Sequence, residues 1–134
     1  MNFDLGTDQR DAAAGARQFF TGSASPAAGR AALEGGTIEP GLKALAEIGF
    51  LGITVAEDAG GAGGSLLDLA VVAEQGGAVL AGPSLVTAAR AAVLLADLPD
   101  LAAALADGST AFAVVSAVAV RWPIFRPGLA SRLP

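Results

Sequence analysis

The residues whose types could bind a ligand or do chemistry lie mainly in one stretch, between Glu57 and Ser65. Four glycines and one alanine fill positions 60–64, directly before Ser65, where a helical pattern begins. Backbone N–H groups at such a junction can bind a phosphate. The run lacks the Gly-Lys-Ser/Thr ending of a P-loop and the last glycine of a dinucleotide fingerprint. A flexible connection that needs positive φ angles and close packing is the alternative, and the pattern favours it.

Three charged residues are the other candidates. Glu57 and Asp58 are adjacent carboxylates, and paired carboxylates act as acid and base when they stand about 5–10 Å apart across a cleft. Neighbours on a loop more often point apart into solvent. Arg90 interrupts an apolar helical pattern and could bind a carboxylate or a phosphate. Arginines on half-buried helices more often extend to water, so none of these residues by itself predicts an active site.

The residue types that are missing exclude several kinds of enzyme. The 134 residues contain no cysteine and no histidine. Disulfides, thiol nucleophiles and thiolate metal sites are therefore excluded, and the commonest general base and transition-metal ligand are absent. A carboxylate-only site remains conceivable, but no spacing supports one. The sequence thus argues strongly against a hydrolase or a metal enzyme.

Charge and hydropathy restrict the partners and the compartment. The net charge is −5 and the pI is about 4.4, so we expect no nucleic-acid partner. The start of the chain, residues 1–5, is acidic and unlike a signal peptide. The longest apolar run, residues 111–120, has about half the length that a membrane span needs. We expect a cytoplasmic protein without a membrane span, and the mean hydropathy of +0.57 suggests surface that something else covers.

Apolar spacing predicts a chain built from helices. The pattern favours helices over residues 7–20, 40–48, 65–80, 84–96 and 99–106, and a short, weak helix over 27–33. Residues 109–118 are rich in valine and phenylalanine and predict a strand. The predicted fold class is therefore all-α: a small helical bundle of about five helices, followed by one β-strand and an irregular tail.

Helix ends follow from a few residues. Thr7 and Ser65 are predicted N-caps, because a hydroxyl can accept a free backbone N–H. Ser65 and Asp68 together match a capping box. Pro40 is expected at a first helical position, and Gly49 as a left-handed stop residue.

The last residues differ in composition from the rest. Residues 121–134 carry three arginines, no acid, the only tryptophan and three of the seven prolines. Prolines at this density prevent regular structure. We therefore divide the chain into a helical domain, residues 1–118, and an irregular, basic, proline-rich tail, residues 119–134. A reading-frame shift near residues 118–120 or a truncated gene would explain this break, and a natural C-terminal peptide is the alternative.

Three segments, in order, resemble the acyl-CoA dehydrogenase family in its N-terminal domain. The most specific is the second, residues 45–63, where members typically read Leu-Ala-Glu-Leu-Gly, then Gly, then Pro-Glu-Glu/Asp, an aromatic residue and Gly-Gly-x-Gly. The matching residues here are Leu45 to Ile53, Val55, Glu57, Asp58, Gly60, Gly61 and Gly63; the flanking matches are Phe3 to Leu5 with Thr7, Gln9 and Arg10, and later Glu74, Pro83 to Leu98 and Leu105 to Gly108. Ala56 replaces the usual proline and Ala59 the usual aromatic, which makes the loop less stiff and less filled.

The resemblance implies a flavoprotein of fatty acid metabolism. Complete members have an N-terminal helical domain, a middle β domain and a C-terminal helical bundle, with FAD between the last two. A glutamate of the C-terminal bundle removes the α-proton of an acyl-CoA thioester while the β-hydrogen passes as hydride to the flavin. The N-terminal domain covers one side of the acyl pocket, and by position Ser84, Leu85, Ala88 and Ala92 are the candidates to line it.

Two functions follow from this resemblance. In the first, the chain is an acyl-CoA dehydrogenase fragment, inactive alone, because the catalytic glutamate and the flavin-binding domain would lie beyond Val118. Glutamates 34, 39, 47, 57 and 74 match none of the family's base positions, and FAD binding by this chain alone is not expected. The alternative is a non-catalytic helical module that pairs with a catalytic subunit or with itself through an exposed apolar face.

Overall fold

The computed structural model describes residues 4–37 and 40–115, and these residues form helices joined by short turns. Two 3-10 turns, Phe50–Gly52 and Glu57–Ala59, separate the third helix from the fourth. The helices are α1 (Thr7–Ser23), α2 (Pro26–Leu33), α3 (Leu42–Glu47), α4 (Leu66–Ala78), α5 (Ser84–Leu94) and α6 (Pro99–Ala106). The predicted all-α class is confirmed, and the short helix that the sequence marked as weak is present as α2. The tail, residues 119–134, lies outside the described residues.

Two helix starts differ from the prediction. The N-cap of α1 is Gly6 rather than Thr7, because the Gln9 side chain reaches back and accepts the Gly6 N–H at 2.8 Å. Pro40 does not open α3, whose N-cap is Gly41. Pro40 is buried and lies beside Phe20 in a small cavity, so tertiary packing, rather than helix geometry, holds it in place.

Other helix ends follow the sequence. Gly49 adopts φ 81° directly after α3, a left-handed conformation that favours glycine over every other residue. Ser65 caps α4: its hydroxyl oxygen accepts the Asp68 N–H at 3.3 Å, and the Ser65 N–H donates to Asp68 Oδ2 at 2.8 Å. The capping box predicted from Ser65 and Asp68 is thus confirmed.

The largest contact between helices joins α1 to α4 around one aromatic ring. Phe20 is 1% exposed, and its Cζ lies 3.2 Å from the place where a Cβ on Gly76 would stand. Any larger residue at Gly76 would push α1 away from α4. The ring of Phe20 also contacts Phe19 edge-to-face and Phe50 in a tilted arrangement, at centroid distances of 5.2 Å and 5.7 Å.

Two polar contacts flank this aromatic cluster and tie the same two helices together. Arg17 Nε donates to Gln75 Oε1 at 3.0 Å, and Gln9 Nε2 donates to Asp68 Oδ1 at 3.3 Å. Gln75 is buried, so its hydrogen bond to Arg17 offsets the cost of removing the amide from water. The register of α1 on α4 is therefore fixed by polar as well as apolar contacts.

The other half of the domain packs α3, α5 and α6 around leucines. Leu45, Leu51 and Leu105 are buried in one core with the inner face of α5. The backbone comes close here as well, because a Cβ on Gly52 would stand 3.2 Å from the Cβ of Ala106. These contacts fix the position of α5, on which all four predicted site residues lie.

The strand predicted over residues 109–118 is absent from its described part, residues 109–115; residues 116–118 lie outside the described residues. The β-rich composition is real, but a strand needs a second extended segment for its ladder hydrogen bonds. Residues 4–37 and 40–115 contain no such partner strand. The first residues of the segment instead close α6, through Ser109 N–H to Asp107 Oδ1 at 2.8 Å and Thr110 N–H to the Ala104 carbonyl at 3.1 Å.

Candidate functional site

The four residues predicted to line an acyl pocket lie along one side of α5, within an arc of about 100°. Leu85, Ala88 and Ala92 are 5%, 3% and 5% exposed and belong to the core. Ser84 is half-buried at the first position of the helix. Ser84 and Ala88 meet at one cavity, whereas Leu85 lines another, smaller one beside Phe20. The structure thus brings two of the four residues together.

The cavity at Ser84 and Ala88 has a volume of about 170 Å³. Helices α3, α5 and α6 and the segment after α6 all contribute to its wall. Its lining residues are Leu42, Pro83, Ser84, Thr87, Ala88, Leu105, Ala111 and Phe112. Sequence reasoning missed Thr87 and Phe112; Thr87 stands three residues after Ser84, a spacing that places both on one side of a helix.

A second concave surface lies between α4 and α5, and it is apolar. We call it the α4–α5 groove; it has a volume of about 310 Å³. Three of its residues are well exposed: Leu66 by 68%, Val86 by 55% and Val93 by 61%. The full set is Leu66, Leu69, Ala70, Ala73, Val86, Ala89, Arg90 and Val93. Arg90 is exposed and stands at an apolar surface, as expected for an arginine that extends to water from a half-buried helix.

The glycine-rich loop uses its own N–H groups. The N–H groups of residues 60–64 donate to carbonyl oxygens of Gly52, Ile53, Val55, Ala56 and Glu57 at 2.7–3.0 Å. Gly60 and Gly63 adopt φ 79° and 61°, and a Cβ on Gly61 would stand 2.2 Å from the Val55 oxygen. A phosphate would have to displace these hydrogen bonds. The loop is therefore a tightly closed connection, the alternative that the sequence favoured.

The glycine-rich loop does not fit the diphosphate of FAD, because its N–H groups already donate to carbonyl oxygens of this chain. The only lysine, Lys43, lies 4.0 Å from Glu47 on the exposed side of α3, and Arg17 donates to Gln75. Glu57 and Asp58 are both exposed on the second 3-10 turn, as expected for solvated neighbours on a loop.

Two carboxylates have lowered pKa values, and both cap helices. The Ser65 hydroxyl, which donates to Asp68 Oδ2 at 2.6 Å, holds the pKa of Asp68 below its ordinary value, and the Ser65 N–H and the Gln9 amide act in the same direction. The hydrogen bonds from Ser109 lower the pKa of Asp107. Both carboxylates are stabilised as anions, which suits a structural role rather than proton transfer.

Two negative findings apply to the described ranges 4–37 and 40–115. They contain no group of three acidic residues close enough to hold a metal ion. None of their helices has the length and apolar character needed to cross a bilayer. The groups that remain for binding are apolar walls with a few hydroxyls.

These features define a helical domain that offers apolar concave surfaces. Residues 6–99 match the family model described as acyl-CoA dehydrogenase, N-terminal domain, and the chain therefore belongs to this family. Acyl-CoA dehydrogenase FadE34 of Mycobacterium tuberculosis (strain ATCC 25618 / H37Rv) is 46% identical over 70 residues, which cover 52% of this chain and 10% of the relative. The chain thus spans about a tenth of that relative's length. No solved structure matches the chain.

Proposed function

We propose that this chain covers one side of the acyl pocket in a flavin-dependent acyl-CoA dehydrogenase. The proposal rests on the match of residues 6–99 to the family's N-terminal domain. A flavin bound in the complete fold would supply the redox chemistry. The part of this chain is to bind and orient the acyl group and to keep water from it, which needs walls rather than acids or bases.

Ser84 and Ala88 support this role, because they line an apolar cavity on rigid elements. Leu85 and Ala92 would contribute indirectly: they are buried and pack α5 against the core, which positions Ser84 and Ala88. We propose that the chain alone does not turn over acyl-CoA, because the N–H groups of its glycine-rich loop are already hydrogen-bonded and Glu57 and Asp58 are exposed on a turn.

A domain exchange tests the role directly. The 70-residue segment of the mycobacterial relative that matches this chain is replaced by the corresponding segment of this chain. The hybrid should oxidise acyl-CoA thioesters with an artificial electron acceptor at a rate within about tenfold of the parent relative. A control hybrid with Gly61→Ala should be less stable and less active, because the loop must open or shift. A folded hybrid that binds FAD and turns over no acyl-CoA would contradict the proposal.

The isolated chain gives the complementary test. Purified chain mixed with FAD, several acyl-CoA thioesters and an electron acceptor should show no turnover and no yellow colour after gel filtration. Retained flavin absorbance, or turnover by this chain alone, would show that inactivity in isolation is wrong.

The α4–α5 groove favours a second candidate function, a non-catalytic module that pairs with a catalytic subunit. Its exposed leucine and valines are the observation behind this alternative. Sedimentation of the purified chain tests the self-association form of the idea. A monomer at all concentrations, unchanged by Val93→Thr, would contradict self-association through this groove.

A further inference from the structure

We propose that the cavity beside Ser84 and Thr87 binds a compact group of roughly six carbons that carries one hydrogen-bonding oxygen. Thr87 would then determine specificity, by favouring this group over a plain hydrocarbon of the same size. As a statement about the acyl group of a substrate, the inference rests on the proposed function. As a statement about a binding site, it rests on the cavity alone.

The size of the cavity sets the size of the occupant. Its volume is about 170 Å³, close to the roughly 150 Å³ of an engineered protein cavity that accepts benzene. A long straight chain would project from it, because the cavity is open to solvent on one side. The lining leucines and Phe112 supply the apolar contact that a ring or a short branched group needs.

Two hydroxyls give the cavity a polar side. Ser84 and Thr87 both line it, and within residues 4–37 and 40–115 neither hydroxyl makes a hydrogen bond. In water each hydroxyl is hydrated. A purely apolar occupant would displace that water and leave the hydroxyls unpaired, whereas an occupant with an oxygen would replace it. Sites built in this way discriminate against analogues that lack the polar group.

The wall is preformed, because its residues come from packed elements. Leu105 is buried in the core, Leu42 lies on α3, and Thr87 lies on α5 one turn from Ser84. A site held by three helices loses little freedom when it binds a ligand. Small differences between ligands should therefore be measurable.

Phenol and benzene are suitable probes, since they differ by one hydroxyl. The full 134-residue chain is labelled with ¹⁵N, and backbone amide signals of Ser84, Thr87 and Phe112 are followed during titration. We expect these signals to move, with phenol bound about fivefold more tightly than benzene, the effect of one net hydrogen bond.

Thr87→Val should remove the preference for phenol while keeping the affinity for benzene, because valine retains the branched shape without the hydroxyl. Ser84→Ala provides a second variant in case Thr87→Val disturbs the helix. Thr54→Val is the matched control, since Thr54 lies in the loop outside the cavity lining; its preference for phenol should equal that of the unmodified chain.

Three results would overturn the inference: no movement of these signals with either probe, equal affinities for phenol and benzene, or a preference that survives both variants. The domain exchange reports separately on the proposed function. If the chain prefers phenol but the hybrid is inactive, the binding site is supported and the proposed function is contradicted. If the hybrid is active but the chain shows no preference for phenol, the proposed function is supported and the binding site is contradicted.

Discussion

The glycine-rich loop and the α4–α5 groove differ in how their groups are satisfied. The polar groups of the loop are bonded within the chain, whereas the apolar side chains of the groove are left exposed. In the loop, consecutive N–H groups from Gly60 to Gly64 donate to carbonyl oxygens of the preceding residues 52–57. In the groove, Leu66, Val86 and Val93 are more than half exposed. The loop therefore contributes to stability and offers little to a ligand, whereas the groove offers contact area and contributes little to stability. Five changes can test this contrast.

The largest effect is expected in the loop. Gly61→Ala would place a Cβ 2.2 Å from the Val55 oxygen, so the loop must open or shift. We expect a loss of about 3 kcal/mol in the free energy of unfolding. Urea denaturation followed by circular dichroism measures it.

Gly77→Ala is the matched control for this change. A Cβ on Gly77 meets nothing within 4 Å, and alanine favours the helix by about 0.5–1 kcal/mol over glycine. The control should therefore be more stable than the unmodified chain. Equal responses of the two variants would contradict the account of the loop.

The junction between loop and groove comes next. Ser65→Ala removes the hydroxyl that caps α4 and should cost about 1 kcal/mol of unfolding free energy. An unchanged urea midpoint would mean that the Asp68 side chain alone is sufficient to start α4.

Restoring the proline that the family resemblance suggests should strengthen the loop. Ala56 is exposed, with φ −61° and ψ 148°, a conformation that proline adopts without strain. Ala56→Pro should raise the unfolding free energy by about 0.5–1 kcal/mol, because it restricts the unfolded chain. A lower melting temperature would show that the preceding residue, Val55, cannot accommodate the ring.

The capping carboxylate adds a dependence on pH. Because the pKa of Asp68 is lowered in the folded chain, its contribution is fully present above the pKa of the unfolded chain. The contribution disappears as the pH falls through the lower, folded value. Asp68→Asn should therefore be less stable than the unmodified chain at neutral pH, and the difference should shrink in acid. A difference that stays constant down to pH 2 would exclude the charge as its cause.

The smallest effect is expected in the groove. Val93→Thr keeps the branched shape on an exposed position and should change the unfolding free energy by less than about 0.5 kcal/mol. The same change in the active hybrid protein would show whether the groove matters for assembly. A large loss of stability in the isolated chain would mean that the groove belongs to the core.

Much of the fold could be predicted because its signals are local. The capping box at Ser65, the stop at Gly49 and the period of α5 each depend on a few neighbouring residues. The start of α1 was missed because the Gln9 side chain caps Gly6, and Pro40 was misplaced because a tertiary contact holds it. The predicted strand is absent from residues 109–115, because β propensity cannot supply a partner strand.

The candidate site was harder to predict, because periodicity does not show which side of a buried helix faces a cavity. Ser84 and Ala88 line the cavity, Leu85 lines a smaller one beside Phe20, and Ala92 is buried in the core. Thr87 was within reach of sequence reasoning, through its spacing from Ser84. Phe112 was not, because its position depends on how the chain leaves α6.

The paired ties between α1 and α4 also bear on motion. Gln9 holds Asp68 near one end of the contact, and Arg17 holds Gln75 near the other, with Phe20 wedged against Gly76 beside the second tie. Two contacts at separate points hinder both sliding and rotation of α1 on α4. One wall of the α4–α5 groove, helix α4, is thus held by the N-terminal helix α1. A partner bound in the groove would contact a stiff surface, which could move only if both hydrogen bonds opened together.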